Sequence, residues 1–157
     1  MQNTNAKLLA ALQSDSTQSV AKLAEEFALS PSACHRRIRA LESSGIISGY
    51  GARLDPEHMG LNLIVFVEIT LHSQSHQAMD LFEAAVQEFD DILDCHLMSG
   101  VGDYLLRVAA TDLKQFDRIH RDCLSSLPGV ASMRSSFVIR SIKRWTGYPV
   151  SHLGDID

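Results

Sequence analysis

The chain has 157 residues, 45% of them apolar, and a formal net charge of −5. That is enough apolar material to bury about two thirds of the unfolded surface, which argues against global disorder. The richest apolar run, GLNLIVFVEITL, is too short for a membrane span and carries Glu68, and the opening MQNTNAKLLAALQSD lacks the basic flank and small-residue cleavage site of a secretory signal.

Charge is unevenly spread. Residues 1–50 carry five Lys or Arg against four Asp or Glu, whereas residues 51–157 carry nine against fifteen. Three of the five N-terminal cations fall within Arg36–Arg39. Cys34, Cys95 and Cys123 are odd in number and widely spaced, without a CxxC pair. They read as buried thiols of a reducing cytoplasm, not a disulfide frame or a metal site.

The first 45 residues show helical periodicity only. Leu8, Leu9 and Leu12 form one stripe, and Val20, Leu23, Ala24 and Phe27 a second. After a tight ALS connector, Ser30-Pro31 supplies an N-cap with proline at the first helical position. The third helix then buries Cys34, Ile38 and Leu41 and stops at Gly45. Three helices with a short turn between the second and third describe a helix-turn-helix unit.

Beyond Gly45 the period changes to two. Residues 46–54 are predicted as a short strand leading into a connector around Asp55-Pro56 and Gly60. From Leu61 to Leu71 every odd position is apolar, as in a strand with one face in a core. Ser75 caps a helix with the stripe Met79, Phe82, Val86 and Phe89. Strands follow at 92–98 and 103–110, separated by SGVG. Asp112 opens a helix expected to turn Phe116, His120, Cys123 and Leu127 inward, and a last strand is expected from 131 to 143. The β-α-β-β-α-β order is the ferredoxin-like split arrangement, and the fold class is therefore α+β. Such a sheet carries helices on one face, which leaves the other for a second subunit.

At about 100° per residue, Ser32, Arg36, Arg39 and Ser43 point away from the buried side of the third helix, flanked by His35 and Arg37. A helix-turn-helix inserts this element into the major groove of double-stranded DNA, where forked arginine donors match guanine edges and phosphates. Ser32, His35 and Arg36 are the expected base readers, with Arg37 and Arg39 nearer phosphates. A solvated basic face without a ligand is the plain alternative.

In the loop Ser99-Gly100-Val101-Gly102-Asp103-Tyr104, two glycines leave amide groups accessible to a carboxylate, and Asp103 could pair with an ammonium. Together they would clamp a free α-amino acid. The same pattern also serves as a simple hairpin.

The segments LAEEFALSPSACHRRIRALESSGIISGY (23–50), LDPEHMGLNLIVFVEITL (54–71), CHLMSGVGDYLLRV (95–108), LPGV and SSFVIRSIK resemble, in order, the Lrp/AsnC family of transcription regulators. The resemblance implies an N-terminal winged helix-turn-helix domain (1–50), a hinge (51–60), and a C-terminal amino-acid-binding and oligomerisation domain (61–157). It implies a homodimer assembling to an octamer, a cytoplasmic and nucleoid-associated location, and an amino-acid effector that shifts assembly or DNA affinity. No cofactor, metal or membrane partner is implied. The family's ligand loop maps to Gly100, Val101, Gly102, Asp103 and Tyr104, with Ser136 of the last strand added. Two segments depart from the pattern: the opening QNTNAK, and Asp15-Ser16-Thr17-Gln18-Ser19 before the second helix. Both concern the packing of the first helix.

The tail KRWTGYPVSHL holds the only tryptophan beside Arg140, Lys143 and Arg144, and is read as strand extension and dimer contact, with a DNA-wrapping contribution as the alternative. Two rivals share the architecture. A sirohaem-decarboxylase-like enzyme would use histidines such as His96 or His120, and a nucleoid-architectural protein would bind DNA with little sequence preference.

Overall fold

The computed structural model describes residues 4–153. The chain divides into two compact units, one combining residues up to Arg53 with those from Lys143 onward, the other spanning Leu54–Ile142. The sequence-based boundary placed the tail with the second domain; its packing places it with the first.

The first unit contains α1 (Thr4–Ser14), α2 (Val20–Glu26) and α3 (Pro31–Ser43). The Ser19 hydroxyl accepts from the Lys22 N–H at 3.2 Å and caps α2. The Ser30 hydroxyl does the same for α3 from Ala33 N–H at 3.2 Å. Leu8, Leu23, Ala24, Cys34 and Ile38 form the core that joins the three helices. The turn into α3 forces Ala28 to a φ of 53°, a left-handed conformation costly for a residue with a Cβ. Asp15, in the departing segment before α2, accepts from both the N–H and the hydroxyl of Thr17. These bonds hold its carboxyl below the ordinary value. The strand expected at 46–54 is absent: residues 48–55 form no regular element, because an extended segment becomes a strand only with a ladder partner.

The second unit is a four-stranded antiparallel sheet of β1 (Leu63–Leu71), β2 (Ile92–Leu97), β3 (Tyr104–Ala110) and β4 (Val130–Phe137), in the order β2-β3-β1-β4. Two helices, α4 (His76–Val86) and α5 (Leu113–Asp122), follow β1 and β3. Ser75 and Asp112 cap them, accepting from Ala78 N–H at 3.3 Å and Gln115 N–H at 2.8 Å. Val65, Val67, Ile69 and Leu71 of β1 meet Leu106 and Val108 of β3, Phe82 and Val86 of α4, and Phe116 and Ile119 of α5 in one core. In α5 the inward residue beside Phe116 is Ile119, while His120, expected inward, is only half-buried. β4 ends at Phe137, earlier than expected, because β1 is its ladder partner and Val138 N–H already reaches Ile64 near the β1 start.

Candidate functional site

Proline at the start of α3 and the Ser30 cap fix where the helix begins, and thereby the direction of every later side chain. With Cys34, Ile38 and Leu41 buried, Ser32, His35, Arg36 and Arg39 are exposed. The Ser32 hydroxyl lies 3.1 Å from that of Ser30. Arg36 forms no ion pair among the described residues. Arg39 does, at 3.2 Å from Glu42, but its side chain remains 69% exposed. An exposed pair of this kind is worth at most about 1 kcal/mol and exchanges readily for a phosphate. Glu42 is held from its other side by the Tyr50 hydroxyl at 3.0 Å. Burial, and after it this bond, raises the Tyr50 phenol above its ordinary value.

Arg37 stands apart from the other cations. It is half-buried and donates to the Asn5 side-chain oxygen of α1 at 3.0 Å, so part of its fork is engaged within the unit. Periodicity placed it on the flank of the helix, but no local pattern signalled a partner 32 residues away.

The loop between β2 and β3 lies against the end of β1. Asp103 N–H donates to the Ile69 carbonyl at 2.8 Å. Its carboxylate accepts from Leu71 N–H and from the Gln74 amide, both at 2.7 Å. Asp103 therefore staples the loop to β1, which sequence reasoning did not foresee. Gly102 is needed where it stands, since a Cβ there would lie 2.4 Å from Glu68 Cγ. Gly100 has open space around it, and Val101 is 90% exposed.

Tyr104 pairs with Ile69 and so faces the core. It is buried, its ring centroid 4.5 Å from that of Phe82, and its hydroxyl donates to Glu83 at 2.7 Å. Burial, then Glu83, pushes its phenol well above the ordinary range. Ser136 pairs with Phe66 and lies on the opposite, exposed face. The fold thus splits the six expected ligand residues: Tyr104 supports the loop from within, while Gly102 and Ser136 border the outer face near Glu68 and Phe66. Glu68 is the additional polar group there, visible in sequence only as the acidic residue interrupting an apolar strand.

The outer face also carries Asp94 and Arg107, paired at 2.5 Å, and His96 opposite Leu105. His120 stands 6.3 Å from Phe116, centroid to centroid. Among the described residues no group of three or more His, Cys, Asp or Glu could hold a metal ion, and no helix is long and apolar enough to cross a membrane.

Residues 1–48 match the family model for a winged helix-turn-helix DNA-binding domain, and residues 64–148 match that for the Lrp/AsnC ligand binding domain. The chain belongs to the Lrp/AsnC family. It is a DNA-binding transcription regulator, with the α+β architecture that its residues imply. It is 46% identical over 117 residues to an uncharacterised HTH-type transcriptional regulator of Sinorhizobium fredii, covering 74% of this chain and 92% of that one. It is 39% identical over 137 residues to the leucine-responsive regulatory protein of Salmonella typhimurium, covering 87% and 84%. Among solved Lrp/AsnC-like structures, a transcriptional regulator of Neisseria meningitidis in complex with L-Met superposes with a TM-score of 0.90 at 36% identity, covering 97% of this chain and 98% of that one.

Proposed function

We propose that this regulator reads duplex DNA with the exposed face of α3 and changes its DNA affinity or assembly when a free amino acid binds at the β2–β3 loop. The observation that carries the reading is the placement of Arg36 and Arg39 opposite Cys34, Ile38 and Leu41. Guanidinium forks on the solvent side of a capped third helix suit both guanine edges and phosphates. Ser32 and His35, near the helix start, are the further base-facing groups, and Arg37 serves the backbone side of the duplex with whatever part of its fork Asn5 leaves open.

The effector reading is supported by the accessible backbone at Gly100 and Val101, held in place by Asp103, and by the L-Met complex of the Neisseria relative. Asp103 has two of its acceptor sites engaged; a carboxylate has about four, which leaves room for an ammonium group. Homodimers form through the sheet face that α4 and α5 leave uncovered, where Phe66 is 38% exposed, and further association builds octamers. The protein acts in the cytoplasm, where its DNA is, in association with the nucleoid. As a regulator like its relatives, it has no catalytic role.

Two measurements test this. Selection from a random duplex pool, followed by footprinting, should yield one preferred sequence; uniform binding would instead indicate an architectural role. A thermal-shift screen of the twenty amino acids should raise the midpoint with a small subset, since a ligand of the native state stabilises it. No shift with any of them would overturn the effector reading.

A further inference from the structure

The last described residues do not extend the sheet. They are fastened to the DNA-binding unit. The Gln13 side-chain amide, one residue before the end of α1, pairs with the backbone of Tyr148 in both directions. Its Nε2 donates to the Tyr148 carbonyl at 3.1 Å, and its Oε1 accepts from the Tyr148 N–H at 2.7 Å. Arg53 supplies a second tie, donating through Nη2 to the Gln13 carbonyl and, at 2.9 Å, to the Thr146 carbonyl. Gly147, at a φ of 134°, is what permits the close approach, since a Cβ there would lie 2.5 Å from Gln13 Oε1. Trp145 and Tyr148 flank this glycine with their rings edge to face, 5.4 Å apart.

These ties converge on α1, and α1 also touches the recognition helix. Its first turn holds Arg37 of α3 through Asn5, its middle contributes Leu8 to the core with Cys34 and Ile38, and its last turn holds the tail through Gln13. The ligand-binding unit is joined to the DNA-binding unit by two covalent connections, after Arg53 and before Lys143. Arg53 ties one of them to the other at Thr146.

We propose that residues 143–153 form a strap that sets the position of α1, and through it the recognition helix, with Gln13 and Arg53 as positioning residues. The strap acts on the register of α3 and makes no phosphate contact of its own. Both covalent routes from the ligand-binding unit thereby end on the same helix. The proposal rests on the DNA-binding reading given above, but its physical core is testable without DNA.

Trp145 is the sole tryptophan, so its time-resolved fluorescence anisotropy reports strap motion in the free protein. In Gln13→Ala and in Gly147→Ala the fast, large-amplitude component should at least double relative to wild type. For the duplex that the wild-type protein selects from a random pool, affinity should fall about tenfold, the size of one or two lost hydrogen bonds. Affinity for a scrambled duplex should change by less than about twofold, and the slope of log K against log salt should stay constant, because no phosphate contact is lost. Lys143→Ala, which leaves the Gln13 and Arg53 ties in place, should match wild type in all these measures. Unchanged Trp145 anisotropy in both strap variants overturns the proposal, as does a flatter salt slope in the Lys143→Ala variant. If the wild-type protein selects no duplex, the DNA reading fails, while the anisotropy result still decides whether the strap is held.

Discussion

The two units are built on different scales. The sheet unit, residues 54–142, centres on fifteen buried side chains and carries six Lys or Arg against thirteen Asp or Glu. Among the described residues the DNA-binding unit buries eight apolar side chains, five of them in one cluster, and the unit carries eight Lys or Arg against six Asp or Glu. So small a core provides little margin over the entropy of ordering three helices. The smaller unit therefore depends on specific fastenings: the Ser19 and Ser30 caps, the Arg37–Asn5 bond and the tail held by Gln13 and Arg53. The sheet unit depends on burial and ladder pairing, and its acidic surface leaves duplex DNA to the other unit.

The largest expected effect strikes the DNA-binding unit alone. Arg36→Ala/Arg39→Ala should lower affinity for the selected duplex by about a hundredfold or more, since each specific base or phosphate contact is worth roughly 1–3 kcal/mol. Amino-acid thermal shifts should be unaffected. Gel-shift and thermal-shift measurements on one preparation check both, and loss of the two together would mean that the units do not act separately.

The converse variant is Asp103→Ala. It leaves Leu71 N–H and the Gln74 amide without their acceptor, costing about 1–3 kcal/mol in the sheet unit. The amino-acid shift should vanish while affinity for the selected duplex stays within about twofold, the size expected where no DNA contact is lost. A preserved response would remove Asp103 from the effector site.

A smaller effect is pH-dependent and confined to the sheet unit. Burial, with Glu83 second, pushes the Cys95 thiol up to about 11, and burial, with Asp91 second, pushes Cys123 up to about 11, from an ordinary 9.0. The folded chain therefore holds these protons more tightly than the unfolded one. Their contribution is complete below pH 9 and is lost as pH rises toward 11. The thermal midpoint should fall over that window by the equivalent of about 1–2 kcal/mol for each thiol, after allowance for their partial exposure. Cys95→Ser/Cys123→Ser should flatten the decline; an unchanged slope would place its origin elsewhere.

The smallest change should stabilise. Ala28→Gly removes the Cβ from a left-handed residue and should raise the midpoint of the DNA-binding unit by the equivalent of about 1 kcal/mol. A lower midpoint would show that the unfolded-state freedom of glycine outweighs the relief.

Local signals were legible in the sequence where local physics decides. Ser30-Pro31, Ser75 and Asp112 announced three helix starts, and the odd positions of residues 61–71 revealed the face of β1. Long-range partners were not legible. Residues 46–54 have strand-like composition but no ladder neighbour, β4 stops where β1 runs out, and periodicity alone did not choose Ile119 over His120. At the candidate site, the exposed face of α3 followed from three buried positions. The engagement of Arg37 by Asn5, of Asp103 by Leu71 and Gln74, and of Tyr104 by Glu83 depended on residues between 21 and 32 positions away. Gln13 and Tyr148 are separated by 135.

That last span bears on how the protein is made. Synthesis runs from the N-terminus and domains tend to fold as they emerge, yet the partner of Gln13 leaves the ribosome 135 residues after it. A nascent chain that has reached Ile142 has the whole sheet unit but not the tail that closes over α1. The DNA-binding unit of this regulator is thus closed only after its ligand-binding unit is complete.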